Sequence, residues 1–286
     1  MNPHRTVGIL VPTDGETPLV PPEERPIGRA ALRLAGSGID VIFGDTLDGG
    51  RMTGFRAVAK GWEAVSDVVL DGVHDRYPSQ LRATQYQNIQ DELSGLPMGN
   101  ALAFTLLARD KLVAQNKLVA LGIPMPEVTD NAEAFQHHLD RWGSAFLKPR
   151  FGALGIGVSR VVPGSATPAT TGGVVPGRPD PSILQAAVSS PEGWASRTVR
   201  VLIQRTPEGG WFQGIPVVRQ SREDPVANAA RGAEVAPGPA VLDPRCLQRI
   251  SDCVHQPCEA FVQLDEAPPM VWAGGGPDPP PPPPPR

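Results

Sequence analysis

Residues 145–161, AFLKPRFGALGIGVSRV, constrain the fold of this chain more than any other stretch. An apolar run delivers Lys148 and Pro149 at its end. Gly152, Gly155 and Gly157 follow at close spacing, and VSRVV then returns to apolar residues. Strand, glycine loop and strand in that order read as a hairpin whose tip has little side chain and many free backbone amides. Such amides can close over a phosphate chain, with a lysine supplying a point charge from beneath. The spacing is not that of the P-loop, which needs Gly-Lys-Ser/Thr at a helix start, nor of the Rossmann fingerprint. On this segment alone, a tight structural loop is the competing reading.

The flanking sequence supplies an α/β frame. TVGILV (6–11) and IDVIFGD (39–45) read as buried strands, and SDVVLDGV (66–73) as a third. Between the first two, PIGRAALRLAGSG reads as a helix with Ala30, Leu32 and Leu34 as apolar positions, stopped by Gly36 and Gly38. Strand–helix–strand with such connections predicts a parallel sheet. From about residue 105 the texture changes. A helix is expected from Asp110 to Leu121, with Asp110 as N-cap, Gly122 as stop and Pro124 just beyond. A second helix over TDNAEAFQHHLDRWG is expected to be capped by Asp130, with Ala132, Phe135, Leu139 and Trp142 recurring at helical spacing and His137 and His138 on a solvated face. Residues 162–181 are rich in Pro, Gly, Thr and Ser and read as a loop. The expected organisation is an N-terminal α/β domain (1–104), an α+β region (105–272) and a proline-rich tail (273–286), the last a short polyproline II rod.

At 286 residues the chain can bury a substantial core. Its net charge of −4 points to neither a nucleic-acid partner nor an anionic membrane. No apolar run reaches the length of a signal h-region or a membrane span, so a soluble, cytoplasmic protein is the expectation. Cys246, Cys253 and Cys258 form no even disulfide framework. With His255 they are chemically suitable for zinc, but their spacing matches no common zinc module, and ordinary reduced cysteines are the reading.

The order of RDK (109–111), LGIPMP (121–126), FLKP (146–149) and the glycine loop resembles the ATP-grasp superfamily, in its glutathione-synthetase-like branch of carboxylate–amine ligases. The resemblance covers roughly residues 105–235. It implies an N-terminal parallel-sheet (pre-ATP-grasp) domain followed by an ATP-grasp α+β region. It also implies that Lys111 and Lys148 contact nucleotide phosphates, with Gly152, Gly155 and Gly157 as the phosphate loop. RTVRVLI (197–203) and VVRQSREDPVANAARGAE (217–234) are similar to the family's arginine strand and R…N…GG segment, placing Arg200, Arg219, Asn228 and Gly232 on matching positions. SILQAAV (182–188) lies where the family carries the adenine-contacting strand and hinge, making Gln185, Ala186 and Val188 candidates, although the usual hinge acid is missing.

The implied reaction is ATP-dependent joining of a small-molecule carboxylate to an amine through an acyl phosphate. Arg200, Arg219 and Asn228 would hold the carboxylate and the developing charge. ATP and magnesium are the implied cofactors, but the magnesium site departs from the pattern. No Glu-x-Asn occurs after residue 240, Ala273 and Gly275 stand where those ligands are expected, and Glu259 is a stand-in for the first acid at most. The C-terminal sequence is therefore either altered or truncated relative to a ligase, or native to a protein that binds nucleotide without completing the reaction.

Overall fold

The computed structural model describes residues 5–11, 18–23, 25–75, 92–93, 95–99, 102–151, 155–164, 181–206 and 209–263. The chain forms two compact units, Met1–Thr105 and Leu106–Arg286.

The first unit is built on a five-stranded sheet of order β4-β3-β2-β1-β5. Strand β1 (Arg5–Leu10) pairs in parallel with β2 (Ile39–Asp48) and with β5 (Gly72–Asp75). Helix α1 (Pro26–Leu34) makes the crossover from β1 to β2, as the strand–helix–strand pattern predicts. Strand β2 is buried at four successive positions, 41 to 44, because both faces of the sheet are covered. Val41 and Phe43 pack with Ile9, Ala31 and Ala57, whereas Ile42 packs on the other face with Leu10, Met52, Leu70 and Val73.

Two antiparallel strands extend this sheet, β3 (Arg51–Val58) and β4 (Gly61–Val69). The stretch read as one strand over 66–73 is thus the end of β4, a turn at Leu70–Asp71, and the start of β5. The sequence does carry the hairpin signal. Asp48 pairs with Arg51 across Gly49 and Gly50, whose φ values of 53° and 73° are the two positive angles a tight two-residue turn needs.

Helix α2 (Leu102–Arg109) carries the chain across the boundary into the second unit. There α3 (Lys111–Ala120) and α4 (Phe135–Trp142) accompany an antiparallel sheet of order β6-β9-β7-β8. Its strands are β6 (Val128–Thr129), β7 (Ala145–Pro149), β8 (Ser159–Val161) and β9 (Ser182–Ala186). Leu139 of α4 seals one face with Ala145, Leu147, Val161 and Leu184. The N-cap expected at Asp130 is one residue off. Asn131 accepts from Glu133 N and starts a 3-10 turn, Ala132–Ala134, that leads into α4. His137 is exposed, and His138 packs 4.8 Å from the Trp142 ring.

A second antiparallel sheet, β10 (Ser196–Arg200), β13 (Val217–Ser221) and β14 (Glu234–Pro237), follows with a ribbon of β11 (Ile203–Arg205) and β12 (Trp211–Gln213). After the short α5 (Gly238–Val241), α6 (Pro244–Gln263) lays Ile250, Val254 and Cys258 against Val199, Val201, Ile203 and Val218. Their four-residue spacing is one stripe of a helix. The three thiols do not share a face: Cys258 is fully buried in this apolar cluster and Cys253 is exposed. Burial, aided by Glu259, pushes the Cys258 thiol up to about 11, so it behaves as a small apolar residue. The tail (273–286), Gly152 and most of 162–181 lie outside the described residues.

Candidate functional site

The hairpin read from AFLKPRFGALGIGVSRV forms. Strands β7 and β8 pair antiparallel, with Ala145 opposite Val161 and Leu147 opposite Ser159. Lys148 and Pro149 stand at the mouth of the glycine loop, and Gly155 and Gly157 take left-handed φ values of 73° and 70° that favour glycine.

The start of α3 is fastened to this mouth. Asp110 caps the helix, its carboxylate accepting from Leu112 N and Val113 N at 3.1 Å each. The same carboxylate takes a forked ion pair from Arg150, Nε to Oδ1 at 2.9 Å and Nη2 to Oδ2 at 2.7 Å. Asp130 adds a third contact to that guanidinium at 3.4 Å. Burial works against the charged Asp110, but the Arg150 hydrogen bond and the helix amides outweigh it and hold the carboxyl below its ordinary range. Lys111 follows directly, donating to the carbonyls of Pro149 and Arg150 at 3.0 and 3.3 Å. The RDK and KPR segments are therefore one construction: an ion pair sets the helix start, and the helix start places Lys111 beside Lys148.

Lys148 is pushed down to about 8, first by burial and then by the Lys111 charge. Its hydrogen-bond acceptor is a neutral amide, Gln185 Oε1 on β9. Gln185 in turn donates to Gln115 Oε1 on α3, and Gln115 donates to the carbonyl of Pro126. Two like charges meet at a glycine hairpin, and the Lys148 acceptor among the described residues is neutral; an anion placed there would relieve both the burial and the repulsion.

Arg200 and Arg219 come together as a second basic pair. Register places Arg200 opposite Val217 and Arg219 opposite Thr198, so the two arginines are diagonal neighbours on one face of the sheet. Burial, then Arg219, lowers the Arg200 guanidinium from its ordinary value. Arg219 Nε is buried and has no hydrogen-bond partner among the described residues. That atom is a buried donor that the described residues leave unsatisfied.

The R…N…G segment meets the glycine loop. Asn228 is buried, and its Nδ2 would lie 3.2 Å from a Cβ added to Gly155. Arg231, which the sequence reading passed over, donates to the carbonyls of Gly155 and Val158 at 3.4 and 3.3 Å while forked onto Asp224 at 2.7 and 3.1 Å. Gly232 then ends the 3-10 turn Ala229–Arg231 with φ 84°. Of the adenine candidates, Ala186 has already given its amide to Glu127 O at 2.9 Å, and Val188 just past the strand is 41 % exposed. Arg150, Gln115 and Arg231 were the functional neighbours missed. Only the buried face of α3, with a glutamine at an inward helical position, offered a signal for one of them.

Among the described residues no three His, Cys, Asp or Glu side chains gather where they could hold a metal ion. Glu259 is exposed on α6, and the segment bearing Ala273 and Gly275 lies outside the described residues. The described residues do not form a magnesium cage.

No family model matches the sequence, and no curated protein matches it. Solved structures do. VanG D-Ala:D-Ser ligase from Enterococcus faecalis superposes with a TM-score of 0.60 over 90% of this chain and 82% of its own, at 13% identity. The fold is that of the ATP-grasp enzymes. A RimK domain protein ATP-grasp from Sphaerobacter thermophilus superposes with a TM-score of 0.52 over 87% of this chain and 80% of its own, at 19% identity. A carboxyaminoimidazole ribonucleotide synthase from Aspergillus clavatus, complexed with ATP, gives 0.57 over 90% of this chain and 63% of its own, at 15% identity. No helix among the described residues is long and apolar enough to cross a membrane.

Proposed function

We propose that this chain is an ATP-grasp protein that binds ATP at the glycine hairpin and descends from ligases that join a small-molecule carboxylate to an amine. In this reading residues 1–104 are the pre-ATP-grasp domain and 105–272 the nucleotide-binding region. The observation that carries it is the meeting of Lys111 and Lys148 at the mouth of the hairpin, with a neutral amide as the Lys148 acceptor.

Lys111 and Lys148 neutralise the nucleotide phosphates, and the amides of the loop, at Gly155 and Gly157 with Gly152, cover the transferring group and exclude water. ATP, when bound, supplies the phosphoryl group that turns the substrate carboxylate into an acyl phosphate. Arg200 and Arg219 grip the carboxylate, the idle Nε of Arg219 providing one donor. As the amine nitrogen bonds to the acyl carbon, an arginine or Asn228 stabilises the oxyanion. The carbon–oxygen bond to phosphate then breaks, and phosphate and the amine proton depart. Gln185, Ala186 and Val188 line the adenine side.

A second reading, a nucleotide-binding ATP-grasp protein without turnover, is favoured by the missing Glu-x-Asn after residue 240. Calorimetric titration of ATP, with magnesium and again with EDTA, is the first test. Micromolar binding lost in Lys148→Ala supports the phosphate assignment, whereas unchanged affinity in that variant overturns it. ADP release on adding amino acids or dipeptides, abolished in Arg219→Met while ATP still binds, separates the ligase from the binder.

A further inference from the structure

The two side-chain amides behind the hairpin, set between a backbone carbonyl and an ammonium, have an imposed direction. At one end stands the carbonyl of Pro126, which can only accept; at the other stands the ammonium of Lys148, which can only donate. Gln115 must therefore point its NH2 at Pro126 and its oxygen at Gln185. Gln185 must point its NH2 at Gln115 and its oxygen at Lys148. Turning either amide over sets donor against donor and acceptor against acceptor. Gln115 is buried, 5 % exposed, on a helix whose other described side chains are more exposed, and a glutamine is kept at such a place only if its partners are supplied.

We propose that Gln115 is a positioning residue for nucleotide binding: it dictates which end of the Gln185 amide faces Lys148, and so holds that ammonium ready for a phosphate. The inference rests on the reading of Lys148 as a phosphate ligand. Gln185 gives Lys148 a neutral acceptor where a carboxylate would neutralise it. A neutral amide leaves the positive charge unspent, but an amide has two ends, and Gln115 removes the choice. The charged group facing Lys148 is Lys111 from α3; β9 brings the neutral Gln185, and its own strand brings the Phe146 ring at 5.6 Å.

A double-mutant cycle on the full chain tests this, with Gln115→Leu, Gln185→Leu and both together. Two quantities are read: the ATP dissociation constant by calorimetry, and the pH midpoint for acetylation of Lys148, followed by peptide mass spectrometry without nucleotide. Gln115→Leu should weaken ATP binding about fivefold, the size of one hydrogen bond, and lower the Lys148 midpoint. In the Gln185→Leu background the same change should do neither. Additive effects, or a Lys148 midpoint unmoved by Gln115→Leu, overturn the proposal. If the cycle holds for acetylation but the wild type binds no ATP, the relay stands and the nucleotide reading falls. Gln115→Met replaces Leu if the latter does not fold.

Discussion

Replacing Lys148 by methionine should make the protein more stable at neutral pH while destroying its affinity for ATP. The drop of the Lys148 ammonium from its ordinary 10.5 to about 8, at about 1.4 kcal/mol per pH unit, sets an upper bound of about 3 kcal/mol on the cost of keeping it charged. Part of the side chain still meets solvent, so screening reduces this to about 2 kcal/mol. Methionine also strands the Gln185 oxygen, which costs about 1 kcal/mol. The net gain is about 1 kcal/mol, or ~2–4 °C in Tm for a unit of this size. The pH dependence is the sharper test. Because the folded state holds the Lys148 proton less tightly than the unfolded state, wild-type stability carries the full cost below pH 8. That cost is relieved as pH rises toward 10.5. The advantage of Lys148→Met should therefore shrink between pH 8 and 10.5 and then reverse, leaving only the lost hydrogen bond. Thermal melts of both proteins at pH 7, 9 and 10.5 measure it. A variant less stable than wild type at pH 7, or a difference that ignores pH, would refute the account of two crowded ammonium groups.

Asp110→Ala should cost about 2–3 kcal/mol in urea unfolding, because it removes a helix cap and strands Arg150. Since the folded carboxyl is held below its ordinary range, this contribution is present above about pH 4 and fades on acidification below it, so wild type and variant should converge there. Gly155→Ala should lower stability by about 1–2 kcal/mol, since its φ of 73° and the Asn228 and Val226 atoms 3.2 Å from the new Cβ both oppose a side chain; equal stability would show that the loop rearranges freely. Cys253 should react with a maleimide at pH 7 at least tenfold faster than Cys258, whose thiol is buried and held protonated; similar rates would mean that α6 does not cover the sheet as described.

The hairpin was legible because glycines between two apolar runs leave the chain few options, and Lys148 falls at a strand end whatever its surroundings. Asp110 was legible as a cap because capping is settled within three residues. Asn131 taking the role expected of Asp130 belongs to the same local physics: adjacent cap-formers compete, and the loser found Arg150 instead. The β2–β3 hairpin was present in the sequence as Gly49-Gly50 but was hidden behind the stronger strand–helix–strand pattern, whereas the β3–β4 turn at Ala59-Lys60 carries no such signal.

Other features depend on partners far along the chain, and no local pattern encodes them. Gln185 reads as an ordinary strand residue until β9 is laid against β7, which brings Lys148, and packed near α3, which brings Gln115, 70 positions away. Arg150 and Arg231 read as surface cations until the fold places Asp110 and Asp224 opposite them. Glycine turns and helix starts follow from neighbouring residues alone, because backbone sterics and capping act over a few positions. Which charges meet, which amide faces which, and how far burial moves a lysine follow from the folded arrangement, because electrostatics and hydrogen bonding depend on distance in space.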